Sequence, residues 1–520
     1  MRLSRRGLHS SVTALAASGL LVRAAQAQPA PAAPSISERI AALVPELERR
    51  IAEGMAAFDA PGLAVGIVAE DKLVYARGFG VRDKQSGAAV GPGTVFQIGS
   101  TTKAFLAAAL AIAVDRGKLA WNDRIVDLDP SFALMDPYVT RELRLYDIIA
   151  QRSGLPPYAN DALAGLGFGP DALMHSLRFV PPASSFRSTF TYTNMTHLFA
   201  GRIAAKALGA PDWPTLADRE LIGPLGMSST SFTAAGLQNA PDHATGYGWS
   251  PLGATAMPIY PPFYEVFGPA GGINSCVTDC ASWLRLQIAD GVFAGRRIVS
   301  AENLGVTRTP RVPITETFLY AMGWLSVMTP NGRVIFHNGG TGSFGAHIGF
   351  LPDRKMGMVV LTNLDNKGLP DALGLGFYDR LLGNPDKDHI DDALGKAKAG
   401  AEKSASTYER PAAPQPPPQT ASLVGGYASE MMGPAAIAQD GDTLVLTVQR
   451  TGARLRLTPF DGATFTMRVV DDIGALGGGA PPGSRYDTPA GFAGFEIDGD
   501  GRLARLRMPI AGQDFIWTKA

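Results

Sequence analysis

Residues Ala104–Val114 run Ala-Phe-Leu-Ala-Ala-Ala-Leu-Ala-Ile-Ala-Val, eleven apolar residues in succession. A helix that is apolar on every side has no face to offer water, so other elements must surround it. The run is too short to span a bilayer, which takes about 20 apolar residues. The chain therefore has to build a large layered domain around a buried helix. With 520 residues, 46% of them hydrophobic, it can form at least one large core and two or more domains.

The flanking pattern indicates what surrounds that helix. Between Ser35 and Phe58, apolar residues recur at helical spacing (Ile40, Leu43, Leu47, Ile51, Met55), which predicts an amphipathic helix capped by Ser35 or Ser37. Gly62–Val68 and Leu73–Phe79, separated by Glu70-Asp71-Lys72, read as a hairpin. Arg333–Phe336, Ala346–Leu351 and Gly357–Asn363 read as three further strands, with a turn at Pro352-Asp353-Arg354. Strands from both ends of this stretch are expected to share one sheet, with the helical middle packed against it. Asp391–Ser406 reads as helix, and Arg410–Gln419 is proline-rich and suits a stiff linker. Beyond it come short alternating strands: Thr443–Gln449, Arg454–Thr458, Thr464–Val469, Gly491–Ile497, Arg502–Met508 and Phe515–Lys519. Asp-Gly turns at Asp440, Asp461 and Asp498 punctuate them, so a small antiparallel barrel or sandwich is expected. Asp498-Gly-Asp500-Gly lacks the later glutamate of a calcium loop and reads as a hairpin turn.

Several function classes fall away on composition. Forty-seven basic residues balance forty-seven acidic ones. That balance gives no footprint for nucleic acid and favours a small neutral substrate. The seven histidines are scattered without ligand spacing, so no metal or other cofactor is expected. Cys276 and Cys280 stand four apart at a predicted helix start, too close within one turn for an easy disulfide, and read as two buried free thiols. The N-terminus combines Ser4-Arg5-Arg6-Gly7-Leu8, a short apolar run and a small-x-small site at Ala25-Gln26-Ala27. This is the pattern of a twin-arginine signal over residues 1–27, which places the mature protein in the periplasm or outside the cell with no stable membrane span.

Gly99-Ser100-Thr101-Thr102-Lys103 opens the buried helix and contains the sequence's sole Ser-x-x-Lys. Residues three apart share a helix face, so the amine can reach the hydroxyl. Free N–H groups at the helix start favour the negative charge that forms on an attacked carbonyl. A lysine serves as base only when part of it is neutral, so its pKa has to fall from about 10.4 towards 7 or 8 through burial and nearby positive charge.

Gly-Ser-Thr-Thr-Lys-Ala-Phe resembles the first motif of the serine β-lactamase, penicillin-binding protein and D-aminopeptidase superfamily. Gln151–Pro156, Pro224–Met227, Gly271–Ser275 and Gly349–Pro352 resemble its connecting segments in the same order. The resemblance spans roughly Ile36 to Leu382. It implies an α/β fold: an antiparallel sheet of the β-lactamase/transpeptidase type flanked by helices, with a helical subdomain, over residues 28–385. Residues 386–419 then form a helical and Pro-rich linker, and 420–520 a small antiparallel β-barrel domain similar to a lipocalin. Such a barrel is expected near the active-site mouth, where it could select substrate size, or at an assembly contact, and an oligomer is possible.

The resemblance also implies site roles, with Ser100 as acylated nucleophile and Lys103 as base. Two Tyr-x-Asn pairs compete for the second motif, Tyr158-Ala-Asn160 and Tyr192-Thr-Asn194. Tyr192 and Asn194 are preferred because an apolar helix follows them. Tyr192, partly ionised beside Lys103, would relay a proton to the leaving group, and Asn194 would bind the substrate amide or the lysine. His337-Asn338-Gly339-Gly340 matches the histidine form of the third motif, with His337, Gly339 and Gly340 facing substrate and the N–H of Gly340 completing an oxyanion hole with that of Ser100. Histidine in place of lysine weakens any anchor for a substrate carboxylate. The aromatic cluster Tyr260, Phe263, Tyr264 and Phe267 reads equally as pocket wall or as core. No deacylating glutamate is visible, so water would be activated by Tyr192 with Lys103. The expected activity is serine hydrolysis of an amide or ester, with a β-lactam, a D-amino-acid peptide or a small ester as substrate. The alternative is a penicillin-binding sensor or cell-wall binding protein with little turnover.

Overall fold

The computed structural model describes residues 34–470, 480–499, 502–510 and 513–520. The predicted signal sequence, residues 1–27, lies outside the described residues. So does part of the Asp498-Gly-Asp500-Gly turn, although Asp498 and Arg502 on either side of it are hydrogen-bonded through Asp498 N–H to Arg502 O at 2.8 Å.

An amphipathic helix, α1 (Ile36–Phe58), begins the chain and buries Ile40, Leu47, Ile51 and Phe58. It is followed by the hairpin β1 (Gly62–Ala69) and β2 (Lys72–Gly80). The main sheet is completed by β3 (Val312–Pro313), β4 (Phe318–Tyr320), β5 (Leu325–Thr329), β6 (Gly332–Gly340), β7 (Gly345–Leu351) and β8 (Met356–Thr362). Its order is β2-β1-β8-β7-β6-β5-β4-β3, and every neighbouring pair is antiparallel. β1 and β8, pairing Val65 with Val360, unite the two ends of the segment. Because side chains alternate along a strand, Leu63, Val65 and Ile67 enter one core, shared with α1, while Ala64 and Val68 enter the other.

That second core holds α2 (Thr102–Asp115), in which every residue from Thr102 to Ala113 is buried. The ring of Phe105 stacks on Trp283 with centroids 3.9 Å apart. Trp283 belongs to α5 (Val277–Ile288), which lies between the sheet and α2 and which also buries Cys280. Cys276 and Cys280 are both free thiols, as their spacing predicts. The helical middle supplies α3 (Met195–Ala207) and α4 (Pro262–Gly271), both packed on α2. After the sheet come α6 (Leu369–Leu382) and α7 (His389–Thr407).

The C-terminal part is a closed eight-stranded antiparallel barrel: β9 (Gly425–Ser429), β10 (Gly433–Asp440), β11 (Thr443–Val448), β12 (Arg454–Asp461), β13 (Thr464–Val469), β14 (Gly491–Ile497), β15 (Leu503–Ile510) and β16 (Gln513–Lys519). Two of its strands, β9 and β10, escape sequence reading because Gly425-Gly426 and Gly433-Pro434-Ala-Ala carry little strand propensity. Closure comes from β9 pairing with β16, Tyr427 opposite Lys519. Trp517, Leu506, Met508, Leu446 and Met467 are buried in the barrel. The proline-rich segment lies along the barrel rather than hanging free: Gln415 N–H donates to Asp461 Oδ1 at 2.8 Å, and Gly462 N–H donates to Gln415 O at 3.0 Å. Among the described residues, no helix is long and apolar enough to cross a membrane.

Candidate active site

Gly99–Thr101 forms one turn of 3-10 helix that runs directly into α2, so Ser100 and Lys103 emerge on the same side. Lys103 is fully buried, and its Nζ contacts Ser100 Oγ at 2.9 Å, Asn194 Oδ1 at 2.7 Å and the carbonyl of Ala270 at 2.8 Å. A neutral amine has two protons and one lone pair. The two carbonyl-type oxygens can take the protons, which leaves the lone pair for the serine hydroxyl. Burial lowers the Lys103 pKa from 10.5 to about 7, against an opposing pull from the Asp161 carboxylate. Burial alone thus does what burial together with a neighbouring positive charge was expected to do.

Of the two Tyr-x-Asn pairs, the structure brings Tyr192 and Asn194 to the serine. The Tyr192 hydroxyl lies close enough to Ser100 for the serine to lower its pKa, and Lys103 Nζ sits 4.8 Å from the centroid of its ring. Burial holds the Tyr192 hydroxyl well above its usual pKa of 10, with the hydroxyl of Tyr320 adding to the effect. It is a neutral phenol, not the partly ionised one expected from sequence. Local hydrogen bonds hold this segment in place: the Gln151 side chain accepts from Thr193 N at 2.8 Å and donates to Thr193 O at 3.1 Å. Tyr158 and Asn160 do other work. The Tyr158 N–H supports the Tyr192 carbonyl at 2.7 Å, and Asn160 Nδ2 donates to Ser176 Oγ at 2.7 Å.

The end of β6 closes against the nucleophile turn. Gly99 has φ +52, and a Cβ there would come 2.7 Å from Gly340 N; a Cβ on Gly339 would come 1.9 Å from Ile98 O. Only glycines allow this approach, which sets the Gly340 backbone beside Ser100. His337 departs from the substrate-facing position expected of it. Its Nδ1 pairs with Asn338 O at 2.6 Å and its Nε2 with the Tyr320 hydroxyl at 3.1 Å, and its ring lies 6.3 Å from that of Tyr192. Burial, reinforced by Lys103, lowers its pKa to about 3. A neutral His337 with both nitrogens occupied braces the tyrosines.

A cavity of about 470 Å³ opens on Ser100 and Asn194, floored by Gly340 to Ser343 and walled by Tyr260, Phe263, Phe267 and Met257. Ile510, from the barrel, also lines it. Tyr264 is the exception in the aromatic cluster. Its hydroxyl donates to Asn274 Oδ1 at 2.7 Å and accepts from Gln97 Nε2 at 2.6 Å, inside the core. No lysine, arginine or histidine is among the described residues of the cavity wall. Nor do the described residues contain a group of three or more His, Cys, Asp or Glu able to hold a metal ion.

Asp161 escapes sequence reading. It lines the cavity and accepts from Asn194 Nδ2 at 2.6 Å. No motif or spacing points to it.

Residues 47–378 match the family described as Beta-lactamase. The chain belongs to the beta-lactamase family. Residues 409–519, which include the barrel, match a domain of unknown function, DUF3471. Among curated proteins, this member of the beta-lactamase family is 27% identical over 417 residues to "Unguisins hydrolase ungD" of Aspergillus violaceofuscus, covering 72% of this chain and 71% of that one. It is 26% identical over 498 residues to "Unguisins hydrolase ungD'" of Aspergillus campestris, with 88% of each chain covered. Among solved structures, the octameric penicillin-binding protein homologue from Pyrococcus abyssi aligns at TM-score 0.59 and 20% identity, over 91% of this chain and 100% of that one. A class C beta-lactamase from Rhodobacter sphaeroides aligns at TM-score 0.55 and 22% identity, over 64% of this chain and 98% of its own. These likenesses agree with the sheet and helices described above. Family membership together with relatives named as hydrolases makes this chain an enzyme, a serine hydrolase.

Proposed function

We propose that the enzyme hydrolyses an amide or ester through an acyl-enzyme on Ser100. The observation that carries this reading is the buried Lys103 amine, 2.9 Å from Ser100 Oγ and with its pKa lowered to about 7. Lys103 takes the hydroxyl proton as Oγ attacks the carbonyl carbon. The oxyanion forms against the backbone N–H groups of Ser100 and Gly340, each such donor contributing about 3 kcal/mol. Tyr192, a neutral phenol, gives its proton to the leaving group, whose bond to the carbonyl carbon then breaks, and takes in exchange the proton held by Lys103, which becomes neutral again. Water deprotonated by Lys103 and Tyr192 hydrolyses the ester, and the serine regains its proton.

The wall of the cavity favours an apolar or aromatic acyl side chain and lacks a cation to anchor a substrate carboxylate. A small ester or an uncharged amide suits it better than a penicillin or a peptide with a free C-terminal carboxylate. The barrel contributes to this selection through Ile510. The signal-like N-terminus supports export to the periplasm.

The test is intact-mass spectrometry of wild type and Ser100→Ala during incubation with p-nitrophenyl esters, D-amino-acid amides and a penicillin, with consumption followed in parallel. Ser100-dependent turnover of the esters or amides supports the reading. A lasting penicillin adduct with little turnover identifies a sensor instead, and rapid penicillin consumption identifies a β-lactamase.

A further inference from the structure

The catalytic amine is held from behind by a carboxylate that takes no part in the bond-making steps. Ser100 Oγ, Lys103 Nζ, the Asn194 amide and Asp161 form one hydrogen-bonded line, with contacts of 2.9, 2.7 and 2.6 Å. An amide can turn either end towards a neighbour. With its nitrogen towards Lys103, Asn194 would set donor against donor. A carboxylate only accepts, so Asp161 on the far side holds Nδ2 outward and leaves Oδ1 for the lysine.

We propose that Asp161 is a positioning residue for the reaction, orienting Asn194 as the acceptor of the Lys103 amine and setting, by its charge, the pH at which that amine becomes a base. The inference rests on the reading of Lys103 given above and adds the group that controls it.

Two further observations support it. The second carboxylate oxygen, Oδ1, is shut off from solvent and has no hydrogen-bond partner. Most buried polar atoms are hydrogen-bonded, so an unpaired carboxylate oxygen beside the catalytic amine is out of the ordinary. Burial accordingly raises the Asp161 pKa from 3.8 to about 6, against the lowering effects of Asn194 and Lys103. The loop that delivers Asp161 is also held in a costly shape, with Tyr158 at φ +54 and Asn160 at φ +59. Gln513 of the barrel fastens it, accepting from Asn160 N at 2.6 Å and donating to Tyr158 O at 2.9 Å.

The titratable groups around the pair are few. Asp161 faces Lys103, Tyr158 and Tyr192. Lys103 faces Asp161, Tyr192, His197 and His337, and burial keeps both histidines neutral. Asp161 is therefore the one charged partner of the amine among these groups, and removing its charge favours the neutral amine.

The experiment compares wild type, Asp161→Asn and Asp161→Ala in the pH dependence of Ser100 acylation by p-nitrophenyl acetate, read by burst kinetics and intact mass. Asparagine can keep the acceptor for Asn194 Nδ2 without the charge. Its acidic limb should move to lower pH by about one unit, so that at pH 6 it retains about fivefold more of its own plateau than wild type does. The plateau itself should fall severalfold, because a weaker base results. Alanine loses both functions and should lower the plateau at least tenfold. Limbs that superpose on wild type in the asparagine variant, with Ser100 still acylated, overturn the inference and leave the hydrolase reading intact. A wild type whose Ser100 is acylated at no pH overturns both.

Discussion

Lys103 Nζ and Asn194 Oδ1 lie 2.7 Å apart, and this contact joins the nucleophile helix to the start of the helix that follows the Tyr-x-Asn motif. The two residues are ninety-one positions apart in the chain. The lysine is fully buried, so its charge state couples folding to catalysis.

A lysine whose folded pKa is about 7 rather than 10.5 is neutral in the native state and protonated in the unfolded state between those values. The unfolded chain then binds more protons, so stability rises with pH across that window. The penalty at pH 7 is on the order of 4–5 kcal/mol at one pKa unit per 1.36 kcal/mol. Chemical denaturation of Lys103→Met should show a stability difference from wild type that shrinks as pH climbs from 7 to 10. In wild type, acylation should rise through pH 7 as the amine loses its proton. A difference that is flat with pH would mean that the amine stays charged.

The Tyr192 hydroxyl lies beside Ser100, whereas Tyr158 is about half exposed with its backbone supporting Tyr192. Stopped-flow acylation should slow at least a hundredfold in Tyr192→Phe, the usual scale for losing a positioned acid or base. In Tyr158→Phe it should change less than about threefold. The reverse order would exchange the roles of the two motifs.

Gly99→Ala places a Cβ at φ +52 and 2.7 Å from Gly340 N. Both the strain and the displaced oxyanion donor act on the transition state, at about 3 kcal/mol per donor. kcat should fall at least a hundredfold while KM for an aryl ester changes little. An unchanged kcat would show that the Gly340 N–H is not used.

The barrel enters the active site through two residues, Ile510 in the cavity wall and Gln513 on the Pro157–Asn160 loop. Ile510→Ala opens room for roughly two to three methylenes and should shift the preferred p-nitrophenyl ester towards longer chains by about tenfold in kcat/KM. Gln513→Ala should lower kcat/KM for all chain lengths alike, because it loosens the loop without enlarging the wall. Chain-length profiles unchanged in Ile510→Ala would remove the barrel from substrate selection.

Local rules sufficed wherever the deciding interaction was short-range. The eleven-residue apolar run determined a buried helix, the 2-residue period determined strands, and three-residue helical spacing brought Lys103 to Ser100. What tertiary structure alone decided is of longer range. The close approach of Gly99 and Gly339 to the facing backbone was visible only in the folded chain. Nothing in the alternation of Gly425–Asp440 announces two strands, because the Gly- and Ala-rich segment gains its strand conformation from closing a barrel with β16. Of the two Tyr-x-Asn pairs, the apolar helix that follows Tyr192 and Asn194 already marked them in the sequence, and the Gln151 clamp on Thr193 is the tertiary contact that holds them in place. His337 carries the family's histidine in register, yet its ring turns to Tyr320 and Tyr192, since a strand's register determines a residue's position and packing determines where its ring points. Asp161 belongs to no motif. Its importance comes from burial beside Asn194 and Lys103, and burial is a property of the folded chain that no spacing of residues records.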